Sequence, residues 1–354
     1  MHLERIFGRI KYVCLLMYVL SSCTNQNEIF NGNIVNLSLE KIRMEPMLGK
    51  PYQIATIDSF LIIADNVDGK GLLIYNLVDS SYSRKFDIGQ GPNDIIPPID
   101  LDTYADEIVM LQRRTGVCKN YNIYDLVNDI NANCLKVVLE NSDRCCKVDE
   151  GFVYMGYSEN GIFSFINLND STMNIVDYFD ELSNKDAVAK YKLLQGNLAY
   201  SFEGKRLIYA PFFASYIKCY SYIDRKWCLE KSYQWGGTVI ENRLVDKAEV
   251  DLFETDKRFC LDVCTDGNCF YILYDGMEMG ETEKPQYRYI LRFNNEGKYD
   301  CMYRVDSSVS NICVSKEGIL YALMINDEDG EFVVAKSPLW YKNDNIIVCL
   351  LLCL

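Results

Sequence analysis

The chain has 354 residues, 50 of them acidic and 36 basic, for a formal charge of −14; hydrophobic residues make up 49% and aromatics 13%. That balance belongs to a core-forming protein and excludes a disordered or low-complexity chain, and the acidic excess argues against a nucleic-acid partner, whose phosphates call for Lys and Arg. The single histidine is His2, inside a segment that reads as a removable leader, so Ser-His-Asp and Cys-His catalysis and imidazole metal sites are excluded from the mature chain.

The leader is residues 1–22. Arg5, Arg9 and Lys11 form a positive start, and residues 12–20 (YVCLLMYVL) are an apolar run of nine. Nine residues are too few to span a bilayer as a helix but suit the core of a signal peptide. The run ends in Leu20-Ser21-Ser22-Cys23, which resembles the lipobox of bacterial lipoproteins. The resemblance implies cleavage before Cys23 and acylation of that residue; several acyl chains give lasting attachment where one is marginal. Losing Arg5, Arg9, Lys11 and Glu4 with the leader moves the formal charge from −14 to −16. Residues 23–33, polar and turn-rich, read as a lipidated tether.

From residue 34 the pattern is short β-type runs broken by Gly, Asn and Asp turns. Residues 60–65 (FLIIAD), 71–77 (GLLIYNL) and 82–88 (YSRKFDI) make the first set. Later sets begin with 107–112 (EIVMLQ), 151–157 (GFVYMGY), 206–210 (RLIYA), 268–275 (NCFYILYD) and 318–324 (GILYALM). In the second set 116–126 (GVCKNYNIYDL) reads as one continuous strand. The starts Phe60, Glu107, Gly151, Arg206, Asn268 and Gly318 lie 47, 44, 55, 62 and 50 residues apart. Ahead of each comes a shorter innermost strand, such as 52–57 (YQIATI), 259–263 (FCLDV) or 311–314 (NICV). A period near 50 with four strands per unit predicts an all-β, six-bladed β-propeller of four-stranded blades over residues 34–340. Helix-like stretches at 184–194 and 245–253 fall in the two long spacings and read as insertions. The last repeat lacks a strand unless 346 onward supplies it, and 34–42 (IVNLSLEKI) alternates as a strand able to close the ring. The role of the apolar tail, 341–354, is left open between a last strand and a sticky terminus.

After the first set comes Gly89-Gln90-Gly91-Pro92-Asn93-Asp94. With the lipobox and the six-unit layout, it resembles the six-bladed, TolB-like propeller lipoproteins of Gram-negative gut anaerobes, which carry a Gly-x-Gly-Pro-x-acid stretch after the first blade. The resemblance covers nearly the whole chain and implies a lipid-anchored location in the cell envelope, at the outer membrane with the leaflet open. It implies no single activity. This copy departs from the pattern in placing Pro97-Pro98 just downstream. Read from its residues, the segment is a tight turn in which Gly supplies positive φ and Pro fixes φ; a functional reading makes residues 89–94 a binding loop. Without a third glycine or a Lys-Ser/Thr pair, it is no phosphate or dinucleotide loop.

The other chemistry-bearing groups are carboxylates, thiols and aromatics. Residues 65–69 (DNVDG) and 326–330 (NDEDG) lack the spacing of a calcium loop and read as hairpin turns. Asp58, Asp100, Asp102, Asp149 and Asp262 lie near innermost strands, where a funnel cation would sit. Thirteen cysteines remain after Cys14 and Cys23; most read as buried thiols, with Cys219/Cys228 and Cys264/Cys269 as candidate hairpin disulfides. The 26 tyrosines suit packing between blades, with some left for a mouth that grips a ligand. The expectation is a non-enzymatic, membrane-anchored binding or scaffold propeller for a glycan, a peptide or an envelope protein, with no cofactor. The alternative is a calcium-assisted hydrolase or lactonase using funnel acids, a Lewis-acid role that needs no histidine.

Overall fold

A computed structural model describes residues 34–129, 134–156, 163–175, 187–234, 254–280, 287–326 and 329–339. Two short strands, β1 (Ile34–Leu37) and β2 (Glu40–Lys41), precede the first blade. That blade is β3 (Pro51–Ile57), β4 (Phe60–Val67), β5 (Lys70–Asn76) and β6 (Tyr82–Asp87), paired in chain order. The second is β7 (Ile99–Tyr104), β8 (Glu107–Gln112), β9 (Val117–Asn122) and β10 (Leu135–Val138). The third is β11 (Ser142–Val148), β12 (Gly151–Gly156), β13 (Phe163–Asn167) and β14 (Met173–Ile175). The fourth is β15 (Gly196–Ser201), β16 (Arg206–Pro211), β17 (Tyr216–Ile223) and β18 (Lys226–Gln234). The fifth is β19 (Cys260–Thr265), β20 (Phe270–Tyr274), β21 (Arg288–Phe293) and β22 (Tyr299–Val305). The sixth has β23 (Val309–Val314), β24 (Ile319–Ile325) and β25 (Phe332–Pro338).

The six-bladed expectation holds. The first strands of successive blades touch one another in a closed circle, β3 to β7 to β11 to β15 to β19 to β23 and back to β3. The second strands are buried on both faces, as in β12 and β16, because each blade lies between two others. Outer strands alternate or are exposed, as in β18. The apolar core is accordingly divided into six layers, one per seam. The layer between the sixth and first blades joins Ile54, Leu61 and Ile63 to Cys313, Leu323 and Val334, which is the packing signature of closure.

The N-terminal strand splits its task. β2 pairs antiparallel with β25 and supplies the missing outer strand of the sixth blade. β1 instead runs parallel to β22 on the edge of the fifth blade. Together they cover two neighbouring sheet edges. Among the described residues two helices interrupt the sheets, α1 (Ile123–Val127) and α2 (Ala187–Leu194). α2 lies in the predicted helical stretch; 245–253 and the tail 341–354 lie outside the described residues. α1 replaces the end of the strand that the pattern of 116–126 predicts. The Asn122 side chain accepts the amides of Tyr124 and Asp125 and starts a helix there, with Ile123 and Leu126 buried three residues apart on one face.

Candidate functional site

Two places gather polar groups: the axis of the ring, and a cavity over the seam between the first and second blades.

At the axis, each first strand carries a polar residue at one equivalent position: Gln53, Asp100, Arg144, Asn197, Asp262 and Asn311. Each pairs with an apolar residue of its own second strand, Ala64, Leu111, Met155, Ala210, Leu273 and Leu323. In four blades a bulge falls just before it, which re-aims the side chain. These side chains reach across to the next blade. Gln53 Oε1 accepts the Leu101 amide at 2.6 Å and its Nε2 donates to Asp100 at 2.9 Å. Asp100 accepts the Cys145 amide at 2.8 Å and faces Arg144 Nε at 3.5 Å. Arg144 donates to Asn197 at 3.1 Å, and Asn197 to the Leu261 carbonyl at 2.9 Å. Asp262 accepts the Ile312 amide at 2.9 Å. Five of the six seams are thus stitched by side chain to main chain or side chain to side chain.

Two small cavities lie along the axis: one of about 50 Å³, lined by Asp102, Asp262, Cys264 and Cys313 among others, and one of about 30 Å³ at the Asp58 end. Burial pushes the carboxyls of Asp102 and Asp262 up to about 7, only partly offset by the amides that hold them, those of Thr103 and Lys147 for Asp102 and of Ile312 and Val263 for Asp262. The five acids proposed for a funnel cation do not converge. Asp58 lies at the far end of the strands, hydrogen-bonded to Tyr124 and 3.7 Å from Lys316. Asp149 takes Tyr104 and Lys205 at 2.9 and 3.0 Å. Asp100 is occupied in the stitching, and only Asp102 and Asp262 share the larger cavity. Calcium needs six to eight oxygens; two carboxyls already accepting amides do not fit it. Among the described residues no three His, Cys, Asp or Glu side chains gather as a metal site requires.

The second place is the loop after β6. Its glycines serve a purpose different from the one expected. Neither Gly89 nor Gly91 has positive φ. They are needed for space: a Cβ at either would stand 2.4 or 2.7 Å from Asp94 Oδ2. Asp94 folds back into that cradle and accepts the Gly91 amide at 2.7 Å. The motif Gly-x-Gly-Pro-x-Asp therefore encodes a self-closed loop. Beneath it lies Lys119 of β9, only 4% exposed, whose ammonium donates to the main-chain carbonyls of Asp94 at 2.8 Å and Pro92 at 3.2 Å. Gln112, at the end of β8, accepts the Ile96 amide at 3.1 Å and fixes the descent into β7. Between loop 89–94 on one side and Gln112, Thr115, Lys119 and Lys136 on the other is a cavity of about 450 Å³. The sequence pointed to the loop but not to Lys119 or Lys136.

The remaining candidates are structural. Asp65 caps the entry to the first blade by accepting the amides of Gly49 and Lys50 and pairing with Arg84 at 3.2 Å. In 326–330, Asn326 bonds Asp329 within the turn. All described cysteines are free, and the two candidate disulfides do not form: Cys219 faces Lys231, Cys228 faces Ser221 and Cys264 faces Tyr271. Cys23, Leu20, Ser21 and Ser22 lie outside the described residues.

No family model matches the chain, and no curated protein does. Solved structures do share its fold. A member of the DUF4221 family from Bacteroides vulgatus is 11% identical with a TM-score of 0.54, covering 86% of this chain and 98% of its own. A Bacteroides fragilis protein predicted to be exported is 13% identical with a TM-score of 0.54, covering 88% of this chain and 97% of its own. At such identities the likeness establishes the fold alone: this chain is a six-bladed β-propeller resembling those Bacteroides proteins.

Proposed function

We propose that this protein is an exported, lipid-anchored binding propeller of the cell envelope, held at the outer membrane through Cys23, as in the TolB-like propeller lipoproteins, and that its ligand site is the cavity under loop 89–94. The observation that carries the site is the contrast in room. The cavities along the stitched axis hold only about 50 and 30 Å³, whereas the loop cavity offers about 450 Å³, a volume typical of small-molecule sites. Its walls are set by residues fixed for other reasons, Asp94 in its glycine cradle and Lys119 under the loop, so the site is formed before a ligand arrives. The export reading is supported by the leader and by the described neighbour from Bacteroides fragilis. No helix among the described residues is long and apolar enough to cross a membrane.

The decisive test has two arms. A panel of saccharides and short peptides is screened by thermal shift against the mature chain and against Thr115→Trp, which fills the cavity mouth from an exposed turn. Any ligand of this site stabilises the parent and loses its effect in Thr115→Trp; a ligand that stabilises both equally binds elsewhere. Separately, Cys23→Ala should move the protein from the membrane to the soluble fraction of its host, and retention in the membrane would overturn the anchor.

A further inference from the structure

Lys119 and Lys136 sit directly opposite one another, residue against residue, in the antiparallel register of β9 and β10. Cross-strand partners share a face of the sheet, and like charges placed there repel. Both lysines line the loop cavity. Elsewhere in the first three blades several cations meet carboxylates: Arg84 with Asp65, Lys85 with Asp129, Arg113 with Asp143, Arg144 with Asp100 and Lys147 with Glu107. In a chain with fourteen more acids than bases, finding two facing cations without such a partner is unexpected. Among the described residues neither Lys119 nor Lys136 has a carboxylate within ion-pair distance.

The carboxylate that lines the cavity with them is turned away. Asp94 directs Oδ2 into the glycine cradle, where it takes the Gly91 amide, and offers Lys119 only its main-chain carbonyl. The Lys119 ammonium, with three protons, donates two to loop carbonyls. Burial lowers its proton affinity and Lys136 lowers it further, against the opposing pull of Cys134 and Asp94. One N–H of Lys119 and the whole ammonium of exposed Lys136 are left to face the cavity. Around them are the hydroxyl of Thr115 and the amide side chain of Gln90 on the loop, which are hydrogen-bonding groups suited to a polar, hydroxylated molecule.

We infer that the loop cavity binds a small polar molecule through an oxyanionic group, a carboxylate or a sulfate or phosphate ester, clamped between Lys119 and Lys136. The inference rests on the site reading above and adds the ligand's charge to it. An oxyanion between the two ammonium groups converts a repulsive pair into two charge-assisted hydrogen bonds. The Asp94 carbonyl and the loop hold Lys119 in place, while Lys136 closes from the open side.

Calorimetric titration of the mature chain with glucuronate, with glucose as its neutral counterpart and with inorganic sulfate as a bare oxyanion tests this. Glucuronate should bind and glucose should not, with affinity falling as salt is raised. Lys136→Gln should weaken glucuronate about tenfold, as loss of one charged contact does, and Lys136→Arg should restore it. Lys136 is exposed on an outer strand, so neither change threatens folding, and melting temperatures no lower than the parent's verify this. Sulfate binding without glucuronate supports the oxyanion clamp and identifies the free ion as its ligand. Equal binding of glucose and glucuronate, both lost in Thr115→Trp, keeps the site and overturns the charge inference. No binding by any of the three, or binding indifferent to Thr115→Trp, overturns both.

Discussion

The axial channel and the loop cavity both collect polar side chains inside an apolar ring, and they use them in opposite ways. Along the axis, Gln53, Asp100, Arg144, Asn197 and Asp262 satisfy one another or the next blade's main chain. Their hydrogen-bonding capacity is directed inward, at the fold. In the loop cavity the internal bonds stop short: Asp94 is closed on its own loop, and Lys119 gives two hydrogen bonds to loop carbonyls and lines the open volume. The polar cluster at the centre of the ring is thus structural, whereas Lys119, buried beneath the glycine loop, and its cross-strand partner Lys136 line open volume. The difference is whether donors and acceptors balance without a guest.

The comparison breaks most visibly with pH. Asp102 and Asp262 rise from the ordinary 3.8 to about 7 on folding. Between those limits the folded chain binds more protons than the unfolded one. Their contribution is therefore complete below about pH 4 and is lost as pH climbs through 7, by at most about 4 kcal/mol per carboxyl. The urea midpoint should fall between about pH 5 and about pH 8. Asp102→Asn should remove about half of that slope and be more stable than the parent at the alkaline end. A parent midpoint indifferent to pH would mean that the channel is wet enough to leave both groups ordinary.

Removing a stitch is the next largest effect. Asp100→Ala strips the Cys145 amide, Gln53 and Arg144 of one shared acceptor. Leaving a buried cation and amide unpaired should cost about 3 kcal/mol in chemical denaturation. A loss below about 1 kcal/mol would show that this seam rests on its apolar layer of Val109, Leu111, Cys118, Leu139, Phe152 and Tyr154 alone.

On the loop side, Gly91→Ala should cost about 1–3 kcal/mol through the clash with Asp94. Because neither glycine uses left-handed backbone, the cause is volume, and the double change with Asp94→Ala should cost less than the sum of the two single changes. Additive costs would return the glycines to a backbone role.

The sequence carried the ring well, since β-type runs, turns and a period near 50 are local signals repeated six times. It also carried the axial acids in part. Asp100, Asp102 and Asp262 fall inside first strands, but Asp58 and Asp149 fall in the turns that follow them, and a shift of one or two residues in a strand end separates a channel side chain from a rim one. Lys119 was illegible for a different reason. In Cys118-Lys119-Asn120 it reads as the outward residue of an alternating strand; it is buried only because a loop more than twenty residues earlier folds over it. No pattern within β9 contains that contact. The alternation over 34–42 predicts one closing strand, and its division between β1 and β2 depends on which sheet edges are bare, a property of the assembled ring.

The smallest effect is the most discriminating. Lys136→Gln removes one of two facing cations and leaves every described hydrogen bond in place. If Lys136 merely solvates an outer strand, the change should be neutral. If it repels Lys119 across the register, the variant should gain a few tenths of a kcal/mol at low salt, and the gain should vanish as salt screens the pair. Lys119→Gln is no substitute, since it would also release the Asp94 and Pro92 carbonyls and lower stability. A gain confined to low salt identifies the cavity as a place where the fold tolerates repulsion, which is the energetic trace left by a site awaiting a negative charge. A loss of stability in Lys136→Gln would mean that Lys136 is held by its surroundings and that the cavity, like the axis, is already balanced.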